Sequence, residues 1–80
     1  MKVKILTFGI TKEIVGDTRV ELELVDDSTV SDLKNRLELL YPALRTLKSY
    51  FIAINDEYAS IDQRLLSSDE IAIIPPVSGG

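Results

Sequence analysis

A chain of 80 residues, 45% hydrophobic and 28% charged, suits a single soluble globular domain near the lower limit for one core. Its formal charge of −4 makes nucleic acid a poor partner and a basic protein surface a better one. With no cysteine and no histidine, disulfides, thiol chemistry and Cys- or His-ligated metal sites are excluded, and acid–base work falls to carboxylates, Lys, Tyr or the chain terminus.

The opening "MKVKILTFGI" is broken by Lys4 and lacks the apolar run of a signal peptide or membrane span, which reads as a cytoplasmic protein with no membrane partner. Within it, "KVKILTFG" alternates as a strand, with Val3, Ile5 and Thr7 on one face and Lys4, Leu6 and Phe8 on the other. Apolar residues on both faces predict an interior strand. "TKEIVG" predicts a short helical turn closed by Gly16. "TRVELELV" then predicts a second strand with Val20, Leu22 and Leu24 inward, completing a hairpin.

"DDSTVSDLKNRLELLYP" is the one long helix, with Ser28 or Thr29 as N-cap and Asp32 in the positive first turn. Val30, Leu33, Leu37 and Leu40 form its expected apolar stripe, and Pro42 ends it or restarts a short turn, "PALRTL". "YFIAIN" predicts a third strand and "NDEY" a turn into a brief fourth. "ASIDQRLLSSD" predicts a loop or a single helical turn anchored by Ile61 and Leu65, and "DEIAIIPP" the last strand. Pro75 and Pro76 have no N–H to donate, so strand pairing must stop there. One helix stripe against one mixed sheet of four to five strands gives a two-layer α+β domain, and this element order is that of the ubiquitin-like β-grasp. In that topology the first and last strands lie parallel at the sheet centre. The expected division is a domain over residues 1–75 and an extended tail over 76–80.

The tail "IPPVSGG" carries the functional signal. Pro75 and Pro76 fix φ and favour an extended exit, and six residues past Ile74 reach roughly 20 Å. Gly79 and Gly80 have no side chains to obstruct a narrow channel, and a terminal carboxylate is a group that another enzyme can activate. The competing expectation is a strand stop followed by a frayed end.

"DEIAIIPPVSGG" resembles the C-terminus of the molybdopterin synthase small-subunit family, where an Asp-Glu pair leads into a strand and Pro-Pro-Val-X-Gly-Gly. "VKILTFG" with "KEIVG", "TVSDLKNRL" and "AINDEYA" resemble the family's first strand and turn, its helix start and its Asn-centred turn. The sequence departs from the pattern at Lys12, where the family has Arg, and at Ser68, where it has Gly. A non-glycine at 68 implies a turn that does not need positive φ there.

The resemblance implies that Gly80 is adenylated by an ATP-dependent, ubiquitin-activating-like enzyme and converted to a thiocarboxylate by a sulfur donor protein. The tail then enters the large synthase subunit, where sulfur passes to a pterin precursor to build the molybdopterin dithiolene. It also implies a chain that is no enzyme by itself, binds no cofactor or metal, and rests in a heterotetramer with the large subunit. Gly80 is the carrier residue, and Gly79, Ser78, Val77, Pro76, Pro75, Ile74, Phe8 and Tyr58 are the partner-binding residues so implied. For Phe8 and Ile74 a place in the core competes with this role, since a small domain needs its apolar residues inside. Asp26 with Asp27, Asp56 with Glu57 and Asp69 with Glu70 read as solvated loop and turn carboxylates rather than metal ligands. Alternatives are a sulfur carrier for thiamine biosynthesis, which usually lacks the Pro-Pro-Val step, a ubiquitin-like protein modifier, and an interaction domain with an inert tail.

Overall fold

A computed structural model describes residues 1–47 and 49–76. Along the chain run β1 (Lys2–Thr7), α1 (Gly9–Val15), β2 (Arg19–Glu23), α2 (Val30–Leu40), the 3₁₀ turn η1 (Pro42–Thr46), β3 (Phe51–Ile54), β4 (Glu57–Tyr58) and β5 (Ile71–Ile74). The strands form one five-stranded sheet in the order β2-β1-β5-β3-β4. β1 and β5 are parallel neighbours at its centre, and every other pairing is antiparallel. This is the ubiquitin-like β-grasp expected from the element order.

Alternation along the strands decides which side faces the helix. Val3, Ile5 and Thr7 of β1, Ile52 and Ile54 of β3, and Ile71 and Ile73 of β5 are buried on one side. Val30, Leu33 and Leu37 of α2 pack into the same core, with Leu44 and Leu65 closing its ends. The expected stripe fails at its last member. Leu40 is 48% exposed, because the helix ends there and the chain turns through η1, so that Leu44 fills the next core position.

The start of α2 is held from two directions. Thr29 is the N-cap: its hydroxyl accepts from the Asp32 N–H at 3.3 Å, while the Asp32 carboxylate accepts from the Thr29 N–H at 2.9 Å. The loop before β5 supplies more acceptors, as Val30 N–H donates to the Gln63 carbonyl and Ser31 N–H to the Ile61 carbonyl, both at 2.9 Å. Two N–H groups that a helix leaves without internal partners are thereby satisfied. Ile61 therefore does anchor the loop, but through its backbone. Its side chain is 58% exposed, contrary to the expected apolar contact, and Leu65 alone fills the core.

The connection from β1 to β2 is longer than the expected turn. α1 begins at Gly9 rather than Thr11, and Gly16 caps it in the left-handed region at φ 87°. Thr11 is fully buried, and its hydroxyl oxygen accepts from the Phe8 N–H at 3.0 Å. The Phe8 carbonyl in turn accepts from the Thr11 N–H at 3.1 Å, so Thr11 fixes the backbone where β1 becomes α1.

Candidate functional site

Among the described residues, the outer side of the sheet carries no helix. At its β5 end it is apolar for a reason visible in the register. Leu6 lies beside Ala72, Ala72 opposite Ala53, and Ala53 opposite Tyr58, which makes one row across β1, β5, β3 and β4. The next row toward the end of β5 holds Ile74 opposite Phe51, with Phe8 following Thr7 on the neighbouring strand. The small Ala72 and Ala53 leave a depression between larger neighbours. A cleft of about 350 Å³ results, lined by Phe8, Tyr58 and Ile74 with the carboxylates of Asp56 and Glu70 at its rim.

Three of the residues singled out from the sequence are therefore brought together here. Phe8 is 48% exposed and Tyr58 70% exposed, while Ile74 is partly buried, so none of them belongs to the core. That removes the competing expectation for Phe8 and Ile74. Phe51 was not legible as a member of this group. Its ring stacks on Tyr58 with centroids 5.3 Å apart and planes 27° from parallel. The alternation of "YFIAIN" places Phe51 opposite the buried Ile52, but only the strand register puts it beside Tyr58 and Ile74.

The turn from β3 to β4 sets this patch. Asn55 and Asp56 are its two central residues, at φ 53° and 69°, the left-handed pair that suits a two-residue hairpin. The Asn55 side chain accepts from the Glu70 N–H at 3.0 Å and donates to the Asp69 carboxylate at 3.2 Å. Its own N–H donates to the Glu70 carbonyl at 2.8 Å. Asp69 also accepts from the Leu66 N–H at 2.8 Å, which closes the turn into β5. The Asp69 carboxylate thus serves a turn, and no cluster of three or more potential metal ligands occurs among the described residues. Ser68 is not among the residues with positive φ, in keeping with a non-glycine there.

Pro75 and Pro76 follow β5 directly and leave the sheet at the same pole as the apolar patch. Pro75 lies against Gly9, the first residue of α1. Val77, Ser78, Gly79 and Gly80, four of the residues implicated by the sequence, lie outside the described residues. A second cleft, of about 450 Å³, opens at the far pole between the end of β2 and α2. It contains none of the partner-binding residues implied by the resemblance, and its Asp32 is committed to the helix cap.

Comparison with known proteins bears on what this pole is for. The family profile described as the ThiS family matches residues 5–80. The chain belongs to the ThiS family. Within it, the chain is 46% identical to the molybdopterin synthase sulfur carrier subunit of Dictyostelium discoideum, over 96% of this chain and 94% of that one. It is 36% identical to the protein of the same name from Chlamydomonas reinhardtii, with each chain covered in full. Among solved structures, the small archaeal modifier protein 1 of Methanosarcina acetivorans superposes with a TM-score of 0.81. The two are 30% identical, and the match covers 99% of this chain and 96% of that one. No helix among the described residues is long and apolar enough to cross a membrane.

Proposed function

We propose that this protein is the sulfur carrier subunit of a molybdopterin synthase and that the carboxyl group of Gly80 is the carrying group. The observation that supports this reading most is a coincidence of place. The Pro75-Pro76 exit, the exposed Phe8, Phe51 and Tyr58 and the partly buried Ile74 share one pole, in a chain whose relatives bear the name of sulfur carrier subunits.

The chemistry follows from what a carboxylate lacks. It is a poor acyl donor, and transfer of AMP from ATP gives a mixed anhydride with pyrophosphate released. A sulfur nucleophile then attacks the carbonyl carbon and AMP departs, which leaves a thiocarboxylate. Loaded in this way, the tail enters the large subunit, donates sulfur to a pterin precursor and returns as a carboxylate. Two such deliveries build the dithiolene. The carrier's own part is positioning, through the apolar patch and the stiff exit. The acid–base groups belong to the partner, whose basic surface complements Asp56, Glu70 and the net charge of −4. ATP is consumed by the activating enzyme, and the carrier holds no cofactor of its own.

Intact mass of the carrier after incubation with its activating enzyme, ATP and a sulfur donor tests the carrying step. The expected result is a gain equal to one oxygen-to-sulfur exchange, confined to the C-terminal peptide. A carrier that remains unmodified refutes the reading. Pull-down of the large synthase subunit then separates molybdopterin use from thiamine use. A second reading, a protein modifier, draws on the likeness to a small archaeal modifier protein. It predicts that Gly80 is recovered in amide linkage to lysines of other proteins.

A further inference from the structure

We infer that Gly9 is a positioning residue of the carrier: its bare face seats the ring of Pro75 and so sets the direction in which the chain leaves the sheet. The inference rests on the reading of the tail as the arm that delivers Gly80. Gly9 has φ +54°, and a Cβ built on it would lie 3.4 Å from Pro75 Cγ, in direct contact with the proline ring. Gly16 is the informative contrast. It too has positive φ, at +87°, but a Cβ there meets nothing within 4 Å, so it answers only the backbone demand of a helix cap.

The surrounding structure makes Gly9 a fixed seat. Thr7 pairs with Ile73 in the parallel β1–β5 ladder, and the two chains continue side by side into Phe8-Gly9 and Ile74-Pro75. Pro75 cannot donate the next ladder hydrogen bond. Its ring packs on Gly9 at the step where hydrogen bonding stops. The residue before Gly9 is itself held by the buried Thr11, whose hydroxyl oxygen accepts from the Phe8 N–H and whose N–H donates to the Phe8 carbonyl. A rigid line therefore runs from the core, through Thr11 and Phe8, to Gly9 and the first residue of the exit. A Cβ at position 9 would stand at the near limit of van der Waals contact with Pro75, so it is the atoms beyond Cβ that would crowd the ring.

The test is Gly9→Asn beside Gly16→Asn. Asparagine tolerates left-handed φ, so both variants keep the backbone, but only the first adds atoms against Pro75. Gly9→Ala adds the Cβ alone and is the conservative variant. Three quantities are read: urea midpoints, the NMR shifts of Pro75 and Pro76, and kcat and KM for sulfur transfer to the large subunit from pre-loaded thiocarboxylate carrier. For Gly9→Asn the expected result is displaced proline shifts and a kcat lower by on the order of tenfold, as a misdirected reacting group costs. KM should stay near wild type because Phe8, Phe51 and Tyr58 are unchanged, and the urea midpoint should fall no further than that of Gly16→Asn, which bears the same left-handed backbone demand. Gly16→Asn should match wild type in kcat and in proline shifts, and Gly9→Ala should lie between. Wild-type kcat together with wild-type proline shifts in Gly9→Asn overturns the inference, as does an equal kcat loss in Gly16→Asn. Should the wild-type carrier fail to accept sulfur at all, the proposed function falls, and the proline shifts alone then decide whether Gly9 is the seat.

Discussion

Asn55→Asp changes one atom type and should nevertheless weaken the fold at neutral pH. The Asn55 amide donates to the Asp69 carboxylate at 3.2 Å, and its oxygen accepts from the Glu70 N–H at 3.0 Å. Aspartate keeps the second bond, the side-chain shape and the tolerance for φ 53°, but turns the first bond into a meeting of two anions. Loss of an exposed hydrogen bond to a carboxylate costs about 1 kcal/mol. Two unit charges about 3 Å apart in a water-like dielectric repel by about 1 kcal/mol more. The sum, about 2 kcal/mol, corresponds to a fall in Tm of about 10 °C for a domain of this size. Acid should restore much of it. In the folded variant the two carboxyls hold a shared proton more readily than two separate unfolded aspartates, so the deficit relative to wild type shrinks as pH falls from 7 toward 4. Urea unfolding of both proteins at each pH, at low and high salt, measures the difference directly. Equal stability at pH 7, or a deficit that neither acid nor salt reduces, would refute the account of Asn55 as the tie between the β3–β4 hairpin and the turn into β5.

Burial, and then the Glu38 carboxylate that accepts its hydroxyl hydrogen, hold the Tyr50 phenol above its ordinary ionisation range. Its contribution is intact below about pH 10 and is lost as pH climbs beyond, so the stability difference between wild type and Tyr50→Phe should be flat from pH 8 to 9.5 and narrow above 10 in urea titrations. Phe51→Ala and Tyr58→Ala should each weaken binding to the large subunit while lowering the unfolding free energy by only about 1 kcal/mol, the order of the stack they remove. A double-mutant cycle by calorimetry should give a coupling of about 0.5–1.5 kcal/mol for the stacked pair. Adding one residue after Gly80, or deleting Gly80, should abolish the sulfur-dependent mass gain with no change in thermal unfolding. Gly79→Val should block transfer from loaded carrier.

Most of the fold was legible because each element announces its period. Val3, Ile5 and Thr7 alternate, while Val30, Leu33 and Leu37 recur at helical spacing, and the core needs both sets on facing layers. Where the reading failed, tertiary structure chose between candidates that look alike locally. Leu40 continues the helical stripe on paper, but Leu44 takes the core place once η1 turns the chain back. Ile61 is as apolar as Leu65, yet what the fold takes from it is a carbonyl oxygen for the Ser31 N–H. In the candidate site, Phe8, Tyr58 and Ile74 could be named from the sequence by resemblance. Phe51 could not, because its membership depends on the β3–β5 register.

Gly9 and Gly16 sharpen the same point. Each adjoins α1, one at its start and one at its cap, each has positive φ, and composition or spacing offers no reason to separate them. What separates them is a neighbour 66 residues away in the chain, Pro75, brought into contact with Gly9 only because β1 and β5 run parallel. A hairpin lacking β5 would satisfy every local requirement of residues 1–24 and still leave Gly9 with nothing to hold. The parallel central pair thus does more than close the sheet. By running both strands toward one pole, it lets the backbone that turns into α1 brace the exit that must be aimed. An antiparallel β5 would send Pro75 to the opposite end, beside Met1 and Glu23, away from Phe8 and the apolar patch.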